Sequence, residues 1–322
     1  MALTRRNKRH TLFMNFRSSQ QGVALVLALL IIALATMTAT AMLSEQQLTI
    51  RRTANLLNAN QAYLYALGAE AWAKRILLLD QQNTQFDSSN ELWATPLPAT
   101  LIPGGTLTGR LEELQGRFNL NNLIIKDKIS EVDFSYFQRL LKLLRLSPDI
   151  AQVIVDWIDH NQDIHLPNGA EDNAYLIKTP AYRAANQPFI SLTELRLIEG
   201  IDEEVYHTLI PYVTALPTHT YLNVNTATLP VLLALSEELA EHDVLNLIVQ
   251  REKQPFKSVD QFLQHDAFAG LTIKADLLGV NTHYFALRAC AHIDTGRANV
   301  YSLLYREKNH VMTVFRTQQP CE

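Results

Sequence analysis

The sequence contains no aspartate or glutamate before Glu45, only two cysteines, and no proline between Val23 and Leu79. It also lacks any excess of basic side chains, with 28 Lys and Arg against 32 Asp and Glu and a net charge of −4. Each absence excludes something. Two cysteines are too few for a disulfide-dense scaffold. Both, Cys290 and Cys321, fall near the C-terminal end. A single bridge there would pin the chain end in an oxidising compartment, the alternative being two unrelated thiols. The charge balance argues against a nucleic-acid binder, which normally shows a clear basic excess. No nucleophile elbow, phosphate loop or cysteine–histidine signature occurs, so the chain is not read as an enzyme. Its 322 residues suffice for one large domain or two ordinary ones.

What is present begins with Arg5, Arg6, Lys8, Arg9 and Arg17, ahead of the uncharged run from Val23 to Leu43. That run can span a hydrocarbon core of about 30 Å. The basic flank assigns the N-terminal end to the cytoplasm and the rest of the chain to the far side. A secretory signal would have a shorter apolar core followed by a small-residue cleavage site. Here the sharp break, Gly22, precedes the apolar run instead.

Helical character continues beyond Leu43, with Ala62, Ala66, Ala69, Ala73 and Ile76 recurring at alternating spacings of four and three. One helix from Val23 to Leu79 would be roughly 85 Å long at 1.5 Å per residue. Proline and glycine punctuation around WATPLPATLIPGG reads as loops, and TLTGRLEEL reads as a strand. From about Asn122 to residue 284 the chain reads as helices on short polar loops, FSYFQRLLKLLRL, DIAQVIVDWID, LTELRLI and VDQFLQH among them. FALRACAHID, NVYSLLYRE and HVMTVFRT then read as three antiparallel strands separated by turn-like GRA and KNH. The expected fold is α+β: a long N-terminal helix packed on a small antiparallel sheet, with a large all-α insertion between strands.

The stretches QQGVALVLALLIIALA, GRFNLNNL, VDWIDHNQD with NGAEDNAYL, LNVNTATLPVLLAL, KSVDQFL, and SLLYRE with TVFR occur in order from about Gln20 to the end. Together they resemble the type IV pilin and pseudopilin class, and within it the K-type minor pseudopilins of type II secretion systems. The resemblance implies a leader of residues 1–22, removed between Gly22 and Val23 by a prepilin peptidase, with Val23 then N-methylated. It implies a membrane and filament-core helix over 23–43, and a pilin-like domain formed by 44–121 and 285–322. The insertion over 122–284 would carry helix-hairpin-helix (SAM-like) segments. Implied partners are the I- and J-type minor pseudopilins in a tip complex, the major pseudopilin and the inner-membrane assembly platform. The chain would help start the periplasmic pseudopilus and support export across the outer membrane.

On this resemblance the missing acid acquires a meaning. Most pilins place a glutamate at the fifth mature position, where it offsets the N-terminal charge of a neighbour; here that position is Leu27. An unpaired charge in an apolar core costs several kcal/mol. A subunit with none ahead of it has no amine to neutralise. A bulky insertion likewise suits the end of a rod.

The strongest site signal is DWIDHNQDIHLPNGAED, residues 156–172, which contains five acids and no Lys or Arg. Asp159, Asn161 and Asp163 have the opening spacing of an EF-hand calcium loop. The match ends at Ile164, where that loop needs glycine, and at Ala170, where it places its bidentate glutamate. Such a run is also compatible with a solvated acidic loop whose aspartates cap helices. The resemblance implies structural calcium in the helical domain, with Asp159, Asn161, Asp163, Glu171 and Asp172 as candidate ligands and Asp156 as a helix residue. His160 and His165, without cysteines, are weak evidence for zinc.

The alternative function is a helix-hairpin-helix nucleic-acid-binding membrane protein related to DNA-uptake factors. NVNTATLPVLLALSEELAEHDVLNLIVQRE resembles such a repeat, and SLTELRLIEGIDEEVYHTLI a partial one. Those modules bind phosphate through a glycine-rich hairpin with basic neighbours. Here the hairpins are SEEL and EGIDEE, whose acids repel phosphate. No nucleic-acid partner is expected.

Overall fold

The computed structural model describes residues 21–318; the five basic leader residues and Cys321 lie outside the described residues. Helix α1 runs unbroken over Gln21–Asn83, as the absence of proline permits. The chain divides after Leu57, within this helix. The part from Gly22 to Leu57 is exposed throughout, and α1 is long and apolar enough to cross a membrane. The hydroxyls of Thr36, Thr38, Thr40 and Ser44 donate to carbonyls three or four residues back, at 2.9–3.1 Å. No hydroxyl in that row is left seeking a partner.

From Asn58 onward the chain forms a compact unit. Its sheet has five strands: β1 (Leu97–Ile102), β2 (Gly105–Glu113), β3 (Tyr284–Ile293), β4 (Gly296–Glu307) and β5 (His310–Gln318). They lie side by side in that order, every pair antiparallel. Ala62, Ala66, Ala69 and Ala73 face the sheet and meet Phe285, Leu287, Ala289, Ala291 and Ile293, alternate residues of β3. Short side chains on both elements let helix and sheet approach closely. At Gly296 the approach is closest: a Cβ there would stand 2.4 Å from the Asn58 carbonyl carbon.

Two expectations need correction. The stretch read as loop contains β1, an edge strand that tolerates Pro98 because its register shifts between Leu97 and Thr100. The residues GRA, read as a turn, open β4; the turn lies one step earlier, where Asp294 takes φ +48°.

Between β2 and β3 stands the helical insertion. Its helices are α2 (Glu131–Leu143), α3 (Ile150–Ile158), α4 (Asp172–Tyr175), α5 (Glu203–Leu209), α6 (Leu229–Leu233), α7 (Glu241–Lys253) and α8 (Val259–Leu263). LTELRLI is a 3-10 helix, Leu192–Leu197, with a capping box from Ser191 and Glu194. Three two-residue ladders also occur in this region, pairing Phe118 with Val213, Ile124 with Ile129 and Leu222 with Leu278. The core runs from Phe118 through Phe137, Ile154 and Tyr175 to Phe256 and Phe262.

The asparagines of GRFNLNNL and LNVNTA have a physical reason. Buried Asn121 bonds Phe189 and Leu216 carbonyls at 3.0 and 2.9 Å, and Asn122 bonds Thr220 O at 2.8 Å. Asn225 exchanges two bonds of 2.9 Å with the Phe256 backbone. These side chains supply backbone-like pairing where loops enter the interior.

One buried charge ties α1 to the last strand. Glu70 accepts from Ser302 and Thr313 hydroxyls at 2.6 Å and from Arg316 Nε and Nη2 at 2.7 and 2.8 Å. Lys74 Nζ lies 3.0 Å away. Burial alone would raise its pKa, but these donors outweigh it and hold the carboxyl well below the usual range. Glu70→Ala orphans the buried Ser302 hydroxyl and should cost about 3 kcal/mol in urea denaturation. The cost should be full above the ordinary glutamate value of 4.5 and shrink as pH falls below it.

Candidate metal centre

Helix α3, IAQVIVDWI, is apolar except for Gln152 and Asp156. All but Gln152 of its residues are buried, so Asp156 is carried into the interior with no exposure. Three residues on, Asp159 caps the helix C-terminus and is 5% exposed. The chain then turns through residues 160–170 and returns Glu171, 2% exposed, to the same interior.

Asp156, Asp159 and His165 offer oxygen and nitrogen atoms that lie within 4.8 Å of one another. The Asp156 carboxylate accepts the His165 backbone N–H at 3.2 Å, and His165 Nδ1 stands 3.3 Å from Asp156 Oδ1. Gly169 allows the tightest turn of the loop: a Cβ there would fall 2.0 Å from Asp156 Oδ2. Asn161 bridges locally, its Nδ2 donating to Asp159 at 2.9 Å and its Oδ1 accepting from the Asp163 backbone at 2.6 Å.

Both carboxylate oxygens of Glu171 are buried without a hydrogen-bond donor. Burial first, then repulsion from Asp156, Asp159, Asp172 and Asp163, pushes its pKa up to about 8. Asp156 is raised to about 6, chiefly by burial. A native interior seldom leaves such a group unsatisfied. Buried carboxylates of this kind either retain a proton or neutralise a cation. Oxygen donors in this number suit a hard divalent ion such as calcium better than zinc.

The sequence candidates thus divide. Asp159 and Glu171 are both buried and near enough for their charges to act on one another, while Asn161 and Asp163 are exposed on the loop. Asp172 opens α4, accepts the Ala184 N–H at 3.0 Å and lies 3.8 Å from Arg183 Nε. His160 turns toward Asp127 at 3.4 Å. Asp156, read from sequence as a helix residue, is one, and it also forms the deepest wall of the group. The available signal was its position as the one charged residue inside an apolar helix. Gly22 and Val23 lie in the first turn of α1, exposed. Cys290 lies on β3.

In protein lacking bound metal, Glu171 should contribute stability fully below its ordinary value of 4.5 and lose it as pH rises toward about 8. Melting temperature measured in chelator should therefore fall over that interval. Glu171→Gln, neutral throughout, should flatten the fall.

Two models of the type II secretion system protein K family match the chain, over residues 116–218 and 222–281. Type II secretion system protein K of Pseudomonas aeruginosa is 38% identical over 91% of each chain. That of Aeromonas hydrophila is 32% identical over 92% of this chain and 96% of its own. A chain in the crystal structure of the GspK-GspI-GspJ complex from enterotoxigenic Escherichia coli superposes with a TM-score of 0.75 at 26% identity, over 84% of this chain and all of that one. The long helix, the interrupted sheet and these matches together make this chain a member of the type II secretion system protein K family, the K-type minor pseudopilins.

Proposed function

We propose that the chain begins the pseudopilus, standing at its tip in a complex with I- and J-type minor pseudopilins and above the major pseudopilin. The observation that carries this reading is the likeness, over 84% of this chain, to a chain of the GspK-GspI-GspJ complex. The helical insertion supports it, because a mass lodged between β2 and β3 suits an end of a filament better than its shaft. Prepilin peptidase would cut between Gly22 and Val23, and Val23 would be methylated. The helix would first hold the subunit in the inner membrane with its N-terminus cytoplasmic and its folded domain periplasmic. The assembly platform would then draw it into the filament. Leu27, in place of an acid, suits a subunit with no neighbour ahead of it.

Calcium belongs to the same proposal. Asp156, Asp159 and Glu171 would hold it from the inside, with Asn161, Asp163 and Asp172 on the loop side. Its role would be structural: neutralising carboxylates that burial makes costly and fixing the loop over residues 159–172. Nothing in the site calls for a reaction.

Full-length protein in detergent should co-purify with I- and J-type subunits at micromolar concentration, and failure to form that complex would count heavily against the tip reading. Calcium should raise the melting temperature by several degrees. EGTA should reverse the gain, zinc should not restore it, and Glu171→Gln should shrink it. Equal stabilisation by zinc would overturn the calcium assignment.

A further inference from the structure

A second buried group of acids lies away from the acidic loop, where α1 ends. Asp80, in its last turn, has a side chain 9% exposed; Asp87, just beyond it, is 2% exposed. Glu91 follows, and oxygens of the three carboxylates lie within 4.8 Å of one another. A single guanidinium pairs with two of the three. Arg306 of β4, 4% exposed, donates from Nη1 to Asp80 Oδ2 at 2.9 Å and from Nη2 to Asp87 at 2.5 Å. Its Nη2 also reaches Thr282 O at 3.0 Å.

This group is a joint between three parts of the chain. Asp87 receives the Thr282 N–H at 2.7 Å, its own N–H donates to Val280 O at 2.8 Å, and its carbonyl accepts Asn223 Nδ2 at 3.1 Å. The end of α1, the segment after it and the returning end of the insertion are therefore all bound to one guanidinium. Glu91 Oε2 accepts from Ser88 N and Trp93 Nε1, both at 2.9 Å, whereas buried Oε1 has no donor.

Fully ionised, the group would hold three negative charges against one positive, with Asp80 and Asp87 largely shielded from water, an arrangement that disfavours full ionisation. We propose that this joint is a proton-operated latch: with Asp80 protonated it holds the segment 80–93 and Thr282 against β4, and loss of that proton loosens it. The charged groups facing Asp80 are Arg306 from β4 and Asp87 and Glu91 from the segment beyond α1. Burial first, then Glu91 and Asp87, push its carboxyl up to about 7, against the opposing pull of Arg306. The closed joint binds the proton more tightly than an unfolded chain, where the value is 3.8. Asp80's contribution to that hold is therefore complete below 3.8 and lost as pH rises to about 7, then constant.

Hydrogen exchange of the full-length chain in detergent, corrected for intrinsic rates, tests this between pH 5 and 8.5. Protection of segment 80–93 should fall at least tenfold between pH 5 and 7 and level off above, while the central strands β3 and β4 stay protected. Asp80→Asn should keep the segment protected at pH 8 and remove the pH step, leaving the response of residues 156–172 unchanged. Glu91→Gln should move the levelling point to lower pH by roughly one unit, the effect expected when a neighbouring charge is removed. Parallel profiles for wild type and Asp80→Asn would overturn the latch. So would a Glu91→Gln profile that coincides with wild type or moves to higher pH.

Discussion

Glu113 and Phe285 are cross-strand partners, yet the whole helical insertion lies between them in sequence. The chain leaves the sheet and returns to it at the same rung, so the ends of the insertion must meet. Buried hydrogen bonds secure that meeting. Glu113, buried, accepts the Gln115 and Gly116 N–H groups at 2.6 and 2.8 Å and the Thr226 hydroxyl at 2.6 Å. Burial raises its pKa, and these donors oppose the rise. The Gln115 side chain receives the His283 N–H at 2.7 Å and donates to Tyr221 O at 3.1 Å. The sheet therefore closes as though the insertion were absent, and the insertion builds its own core from Phe118 onward.

Much of this was legible in the residues. The alanine spacing from Ala62 to Ala73 identifies the face of α1 that meets the sheet, and alternation in FALRACAHI identifies the inward face of β3. The edge strand β1 was not legible, because Pro98 reads as a breaker unless the strand is known to lie at an edge. Its partner is supplied by tertiary structure alone. Asp156 posed the converse problem. Periodicity assigns it to a helix correctly, but only the returning loop shows that Glu171 comes back beside it. Spacing rules derived from contiguous loops cannot see a carboxylate group shared between a helix interior and a residue fifteen positions later.

The acidic site and the joint at Arg306 solve related problems in different ways. In both, folding draws carboxylates out of water, a step unfavourable unless the charge is compensated. At Arg306 the compensation is built in and incomplete. At Glu171 both buried oxygens lack a hydrogen-bond donor among the described residues, so a proton or cation held there would be linked to stability.

The hydroxyls of Thr36, Thr38, Thr40 and Ser44 return to the backbone of their own helix. Such bonds travel with the segment. Whether lipid tails or other apolar helices surround it, no polar group on that row must release one partner and find another. If the helix passes from lipid into the filament as proposed, that row has no hydrogen bonds to exchange, and what changes is the packing of its apolar surface.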